Sequence, residues 1–311
     1  MRKPTRPARW DVVIAGAGPA GLSAALVLGR ARRRVLLCDT GTPRSWASKE
    51  MHAYLSRDGL PPQEFLAIAR REVRRYPGVH YLPQEVRRAR RVGAGFAVRL
   101  ANGREVRSRR LLIATGVFDH VPRIPGIDGL FGRSVFQCPY CDGWEMRDRR
   151  VLAFGRGRRG FEMARAMTAW TRDLVLCTDG AAGYTAADRR LLARNGIRLV
   201  EKRVTALEGS RGRLRTVVFS SGERLARDAM FFDTPSHQQS KLAESLGCKF
   251  GRDGGVLCGA YEATSVPGVF VAGNIIRDVQ LSIVAAAEGA RAAFGINRAL
   301  TREDFAARRG Q

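Results

Sequence analysis

Two cysteines separated by two residues and followed at once by an acid stand near the middle of the chain, in Cys138-Pro139-Tyr140-Cys141-Asp142-Gly143-Trp144-Glu145. That spacing lets the thiols close a small disulfide ring and reopen it, with the thiolate as the attacking form. Asp142, directly after the second thiol, is placed to supply or take the proton that each exchange step moves. The competing readings are a structural disulfide and an incidental turn, both disfavoured in a reducing compartment. Tyr140 and Trp144 suit either a substrate surface or ordinary burial. Histidine is a common proton carrier, so His52 and His237 could assist a thiol, but nothing beside them in sequence points to the dithiol, so packing or loop roles are expected for both.

Two glycine-rich loops flank the dithiol, Gly16-Ala17-Gly18-Pro19-Ala20-Gly21 before it and Gly155-Arg156-Gly157-Arg158-Arg159-Gly160 after it. In such a loop the first glycine makes the tight turn, the second lets backbone approach a pyrophosphate, and the third lets helix and strand lie close. The following helix turns its N-terminus to the phosphates. Asp39, 18 residues past Gly21, can accept from a ribose hydroxyl. A dithiol between two dinucleotide sites suggests an electron relay.

The elements that must hold these residues follow from the apolar pattern. Strands are expected over 10–15 and 35–38 around a helix at 20–30, and a second helix over 62–75. Short alternating segments follow at 79–82, 85–92, 96–100 and 104–108, with Asn102-Gly103 as a hairpin turn, and a buried strand over 111–114 ends in the turn Thr115-Gly116. The second half repeats the plan at a spacing of about 140 residues: strand 151–154, glycine loop, helix 161–170, strand 174–178 ending at Asp179, helix 186–195, hairpins, and a returning strand 229–233. Pro122, Pro125 and Pro235 mark crossover linkers. A last strand, 269–274, ends in Gly273-Asn274 and precedes an alanine-rich helix over 282–300, with a polar, fraying tail to 311. The fold class is α/β, two dinucleotide-binding, Rossmann-like three-layer domains, the second inserted into the first. The expected division is 1–118 with 246–311, and 119–245.

Of six cysteines only Cys138 and Cys141 are close in sequence, and no second ligand pair accompanies them, so no metal site is expected. Cys38, Cys177, Cys248 and Cys258 read as buried thiols. The formal charge of +25 is nearly all arginine, since the lysines are only Lys3, Lys49, Lys202, Lys241 and Lys249. Scattered arginines without interleaved aromatics argue against nucleic acid and for solvated faces, with an acidic redox partner compatible. No apolar run approaches the roughly 18 residues of a membrane span, and residues 1–7 run toward the first strand without a signal-peptide core, so a cytoplasmic protein is expected.

In the order and spacing of these motifs, together with Thr264-Ser265-Val266-Pro267-Gly268-Val269-Phe270-Val271-Ala272-Gly273-Asn274, the chain resembles the low-molecular-weight thioredoxin reductase family over essentially its whole length. The resemblance implies a homodimer, FAD held by both chain ends, and a central domain carrying the dithiol. By that resemblance Cys141 faces the flavin, Cys138 attacks the substrate disulfide of a thioredoxin-like protein or small molecule, and Asp142 handles the proton. FAD contacts are implied for Gly16, Gly18, Pro19, Ala20, Gly21, Asp39, Thr115, Gly116, Gly273, Asn274 and Gln280. Gln280 stands about one residue from the family's glutamine beside the ring.

Departures from the family pattern bear on the electron donor. Members using NADPH carry a histidine and two arginines after the second loop, where this chain has Thr178-Asp179-Gly180. An acid there repels a 2′-phosphate and favours a free ribose. The second site, Gly155, Gly157, Arg158, Arg159, Gly160 and Asp179, is thus open to NADH or NADPH in an unusual pose or to a second FAD, or is bypassed by an acidic ferredoxin-like donor. The segment Met51-His52-Ala53-Tyr54-Leu55-Ser56-Arg57-Asp58-Gly59 and the Trp144-Glu145 continuation look more like the branch that includes dithiol oxidases of sulfur-bridged natural products. The alternative from another class is a basic flavoprotein acting as a redox-sensing binding module.

Overall fold

The computed structural model describes residues 9–308; the expected leaderless start at 1–7 and the last residues of the tail lie outside the described residues. The strand Arg9–Ala15 is central to the first sheet. Val35–Cys38 and Glu105–Ile113 pair parallel on its two sides, Val79–Leu82 lies beyond the former, and Val269–Val271 joins Glu105–Ile113 parallel, with Val271 opposite Ile113. The chain therefore returns, more than 150 residues later, to the sheet it started. Continuous apolar runs such as Val12-Val13-Ile14, fully buried, are what a parallel strand covered on both faces requires.

One face is covered by the helices Pro19–Arg30 and Ser282–Arg308, whose Ala24, Ala25, Leu28, Ala292, Ala293 and Ile296 share a core with Val12 and Ile14. The other face carries Phe96, Val98 and Leu100 of an antiparallel meander, Val86–Val92 and Gly95–Leu100. Here the sequence reading is corrected: segments 104–108 and 111–114 are one strand, Glu105–Ile113. Its first half pairs antiparallel with the meander, while register with Arg9–Ala15 runs unbroken from Arg107 to Ile113. A single strand serves two neighbours, so no turn is needed between them.

The second sheet is all parallel, in the order Arg198–Val200, Leu174–Cys177, Val151–Phe154, Ala229–Phe232, Val135–Phe136. Helix Gly157–Met167 covers it and begins four residues earlier than expected, within the glycine loop itself. A three-stranded antiparallel sheet, Val204–Ser210, Arg213–Phe219 and Arg224–Ala226, packs Leu207, Val217 and Phe219 against the other face. The crossovers between the sheets meet in a two-stranded ribbon, Val117–Asp119 with Ser236–Gln238. After it the short helix Leu242–Ser245 buries Leu242 and Ala243 in the first core, before residue 246.

The expected frayed tail is also corrected, because helix Ser282–Arg308 continues well past Leu300. Asp304 pairs with Arg33 at 2.6 Å and Arg109 at 2.7 Å, and Asn297 accepts from Arg33 at 2.7 Å. The polar end of the helix is held by two ion pairs and a hydrogen bond instead of apolar burial.

Candidate active site

Cys138 caps the one-turn helix Pro139–Asp142, and its Sγ accepts a hydrogen bond from the Cys141 amide at 3.1 Å. The sulfurs are joined as a disulfide, with Cα atoms 5.2 Å apart. When the ring is open the same N–H favours a thiolate on Cys138. Gly143 closes the turn: a Cβ there would lie 2.4 Å from the Pro139 carbonyl and 2.8 Å from the Trp170 ring. Tyr140 and Trp144, at 69% and 64% exposure, face solvent, which decides against simple burial for both.

Burial first, then the charge of Glu145, pushes Asp142 up from 3.8 to about 7, while His52 pulls it back down. The His52 imidazole stands 3.6 Å from carboxylate oxygens of Glu145, Glu50 and Asp58. The packing role expected of His52 therefore gives way to a place in the charge network around the dithiol. Only the fold brings residues 52 and 145 together. His237 goes elsewhere, stacked edge-on against His120 at 4.6 Å on the linker ribbon. Cys38 and Cys177 are buried, and burial raises their thiols to about 12 and about 11, as expected of inert cysteines.

Cys138, Cys141 and Asp142 line one cleft of about 1060 Å³. Its walls include Gly16, Gly18, Pro19 and Ala20 of the first loop, Asp39, the Thr115-Gly116 turn, and Gly273, Asn274 and Gln280. The residues expected to hold FAD are thus brought together with the dithiol. Gly21 lies behind the loop, where a Cβ would come within 1.9 Å of the Gly16 carbonyl, and Gly16 has φ +105° and meets the Ala114 carbonyl. A Cβ on Gly18 would meet nothing within 4 Å, which leaves its backbone open to a ligand in the cleft.

Whether these residues fit a flavin dinucleotide is answered by what they leave unsatisfied. The Thr115 hydroxyl and the Arg70 Nε are buried without a hydrogen-bond partner among the described residues, and both side chains line the cleft. Asp39 accepts from Tyr81 at 2.8 Å and Arg70 at 3.1 Å, both on Oδ2. Gly16, Gly18 and the start of helix Pro19–Arg30 would hold the pyrophosphate. The chain fits the group. Gln280 accepts from Arg44, which also grips Asp119, tying this end of the cleft to the linker ribbon.

The second loop behaves differently. Its turn is intact, since a Cβ on Gly160 would lie 2.0 Å from the Gly155 carbonyl. Asp179, however, accepts from Arg156 on Oδ2 at 3.3 Å and from the Val204 amide on Oδ1 at 2.9 Å. Arg156 also donates to the Asp179 carbonyl at 2.5 Å, Arg158 pairs with Glu162, and Arg159 pairs with Asp233 at 3.3 Å. The acid expected to face a ribose and the three arginines of the loop are engaged with the protein itself. These contacts must open before a ribose hydroxyl or a phosphate can take their place. Of this set Arg159 lines the dithiol cleft.

Two dinucleotide-type sheets with a disulfide beside the first phosphate loop define a disulphide oxidoreductase. The family model of the pyridine nucleotide-disulphide oxidoreductases matches residues 10–289, and the chain belongs to that family, in its low-molecular-weight thioredoxin reductase-like group. Membership implies an enzyme that uses a flavin. A relative, thioredoxin reductase tcpT of Claviceps purpurea, is 32% identical over 85% of this chain and 86% of its own. The crystal structure of HlmI superposes with a TM-score of 0.93 at 37% identity, covering 97% of this chain and 96% of the other. An oxidoreductase from Agrobacterium tumefaciens gives 0.87 at 31%, over 94% and 99%.

Proposed function

We propose that this enzyme exchanges two electrons between FAD, the Cys138/Cys141 pair and a disulfide or dithiol substrate, either a thioredoxin-like protein or a small molecule. The observation that carries the reading is the single cleft shared by the dithiol, Asp142 and the first phosphate loop. Residues 9–118 with 246–308, joined by helix Leu242–Ser245 in their core, form the flavin-holding unit, and 119–241 the unit that carries the dithiol. Homodimer assembly and a cytoplasmic setting belong to the same reading by analogy with the family; among the described residues no helix is long and apolar enough to cross a membrane.

In the reduced protein the Cys138 thiolate attacks one sulfur of a substrate disulfide; a mixed disulfide forms and the other substrate sulfur leaves, taking a proton. Cys141 then attacks the Cys138 sulfur, releasing the second substrate thiol and re-forming the protein disulfide. Two electrons and two protons have passed to the substrate. Asp142 gives or takes the proton at the Cys141 sulfur, and the charges of Glu145 and His52 set its readiness to do so. Bound FAD supplies the two-electron partner of this pair. The same steps in reverse oxidise a substrate dithiol.

The Arg156–Asp179 contact favours electron exchange that bypasses the second loop, through the dithiol alone or through an acidic ferredoxin-like protein on the basic surface. In anaerobic titrations of the flavin-loaded protein, NADPH is expected to leave the flavin spectrum unchanged. Cys138→Ser and Cys141→Ser should each cut disulfide turnover, with whichever donor works, by about a thousandfold or more. A colourless purified protein, or serine variants with normal turnover, would rule the reading out.

A further inference from the structure

Behind the Gly273-Asn274 turn lies a group of acids that the exchange chemistry does not use: Glu262 is buried, Glu288 half-buried and Asp278 exposed. Gly273 adopts φ +82°, and a Cβ there would stand 3.1 Å from the Ala20 side chain, at the start of the phosphate-loop helix. Its amide donates a 2.6 Å hydrogen bond to Glu288 Oε2. One residue on, Gly289 brings helix Ser282–Arg308 so close that a Cβ would lie 2.0 Å from the Ala20 carbonyl. Glu288 thus stands behind the turn whose Gly273 and Asn274 line the cleft together with the first phosphate loop.

Three charged groups act on it. Burial, the largest cause, holds Glu288 up from 4.5 to about 7; the Gly273 N–H and Arg291 favour its ionisation, and Glu262 and Asp278 oppose it. Glu262 is itself buried, its Oε2 lacks a hydrogen-bond partner among the described residues, and its Oε1 lies 3.1 Å from Arg291. Burial raises the Cys258 thiol, and the charges of Glu262 and Glu288 raise it further. From helix Pro19–Arg30 the contact is backbone, at Ala20. Two acids share one arginine, and Glu262 and Tyr261 are held at φ +59° and +57°, a conformation that surrounding structure must impose.

We propose that Glu288 is a protonation-dependent positioning residue for the flavin dinucleotide: neutral, it holds the Gly273-Asn274 turn without opposing the pyrophosphate, and ionised, it adds a negative charge beside the anionic ligand. The inference rests on the FAD reading above. Cofactor binding raises the proton affinity of Glu288, so by linkage FAD is held more tightly when the group is protonated, below pH 7, and released more readily as pH rises through 7.

The test is FAD affinity of the full-length protein, by flavin fluorescence on reconstituting apoprotein between pH 6 and 8. Wild type should lose about fivefold in affinity across that range, most of the tenfold that a one-unit change in pKa implies. Glu288→Gln should bind FAD at the tight end throughout, with its pH dependence largely flattened. Glu262→Gln, which removes a repelling charge and frees Arg291, should move the wild-type midpoint to lower pH. Asp142 titrates in the same range but is unchanged in these variants, so the comparison isolates Glu288. Glu288→Gln with the wild-type slope, or an unmoved midpoint in Glu262→Gln, overturns the proposal while leaving the FAD reading standing. Failure of wild type to bind FAD at any pH overturns both.

Discussion

Asp142 shows how much chemistry one side chain takes from its surroundings. In the sequence it is an acid after a thiol; in the folded chain, burial and Glu145 bring its titration to about 7, where a carboxyl can both give and take protons. Dithiol exchange by the reduced enzyme should therefore break near pH 7, and Asp142→Asn should remove that break and slow exchange by about a hundredfold, read by stopped-flow with a disulfide substrate. The same shift has a stability sign. Because the folded-state value lies above the unfolded one, the stability tied to Asp142 is complete below about pH 4 and is lost as pH rises through 7. Asp142→Asn should accordingly melt higher than wild type above pH 7, the gap closing toward pH 4. The motif itself was legible, but the role of His52 was not: spacing in sequence carries no information about a residue that arrives from a loop more than 80 positions earlier.

At the scale of elements, the glycines at close crossings are the most exacting positions. Helix Ser282–Arg308 reaches the phosphate-loop helix only because residue 289 has no side chain. Gly289→Ala should destabilise the protein by about 1–3 kcal/mol in chemical denaturation and weaken FAD retention, since Ala20 must shift. Gly129→Ala, where a Cβ meets nothing within 4 Å, is the control and should stay within about 0.5 kcal/mol of wild type. The strands and first helix could be read from buried apolar runs and from the proline and glycine that start the helix. The unbroken Glu105–Ile113 strand and the length of the last helix could not. Each is decided by partners far away in sequence, the meander and central strand in one case, Arg33 and Arg109 in the other.

For the whole molecule, the second sheet bears on how electrons enter or leave through one contact. Arg156→Ala frees Asp179 from the guanidinium that now covers it. The variant should gain about tenfold or more in affinity for NADH by calorimetry, a charge-assisted hydrogen bond being worth that much. NADPH should gain nothing, because the freed acid repels a 2′-phosphate. Equal binding of both by wild type would show that the contact does not guard the site. By itself the sequence determined the two-sheet plan, the first phosphate loop and the dithiol with its acid, since each is written in local periodicity or in fixed short spacings. The tertiary structure alone decided that the dithiol opens onto the first loop's cleft, that His52 and Glu145 surround its acid, and that the second loop's acid is spent on its own arginine. These depend on distances between side chains remote along the chain, which are set by how the layers close.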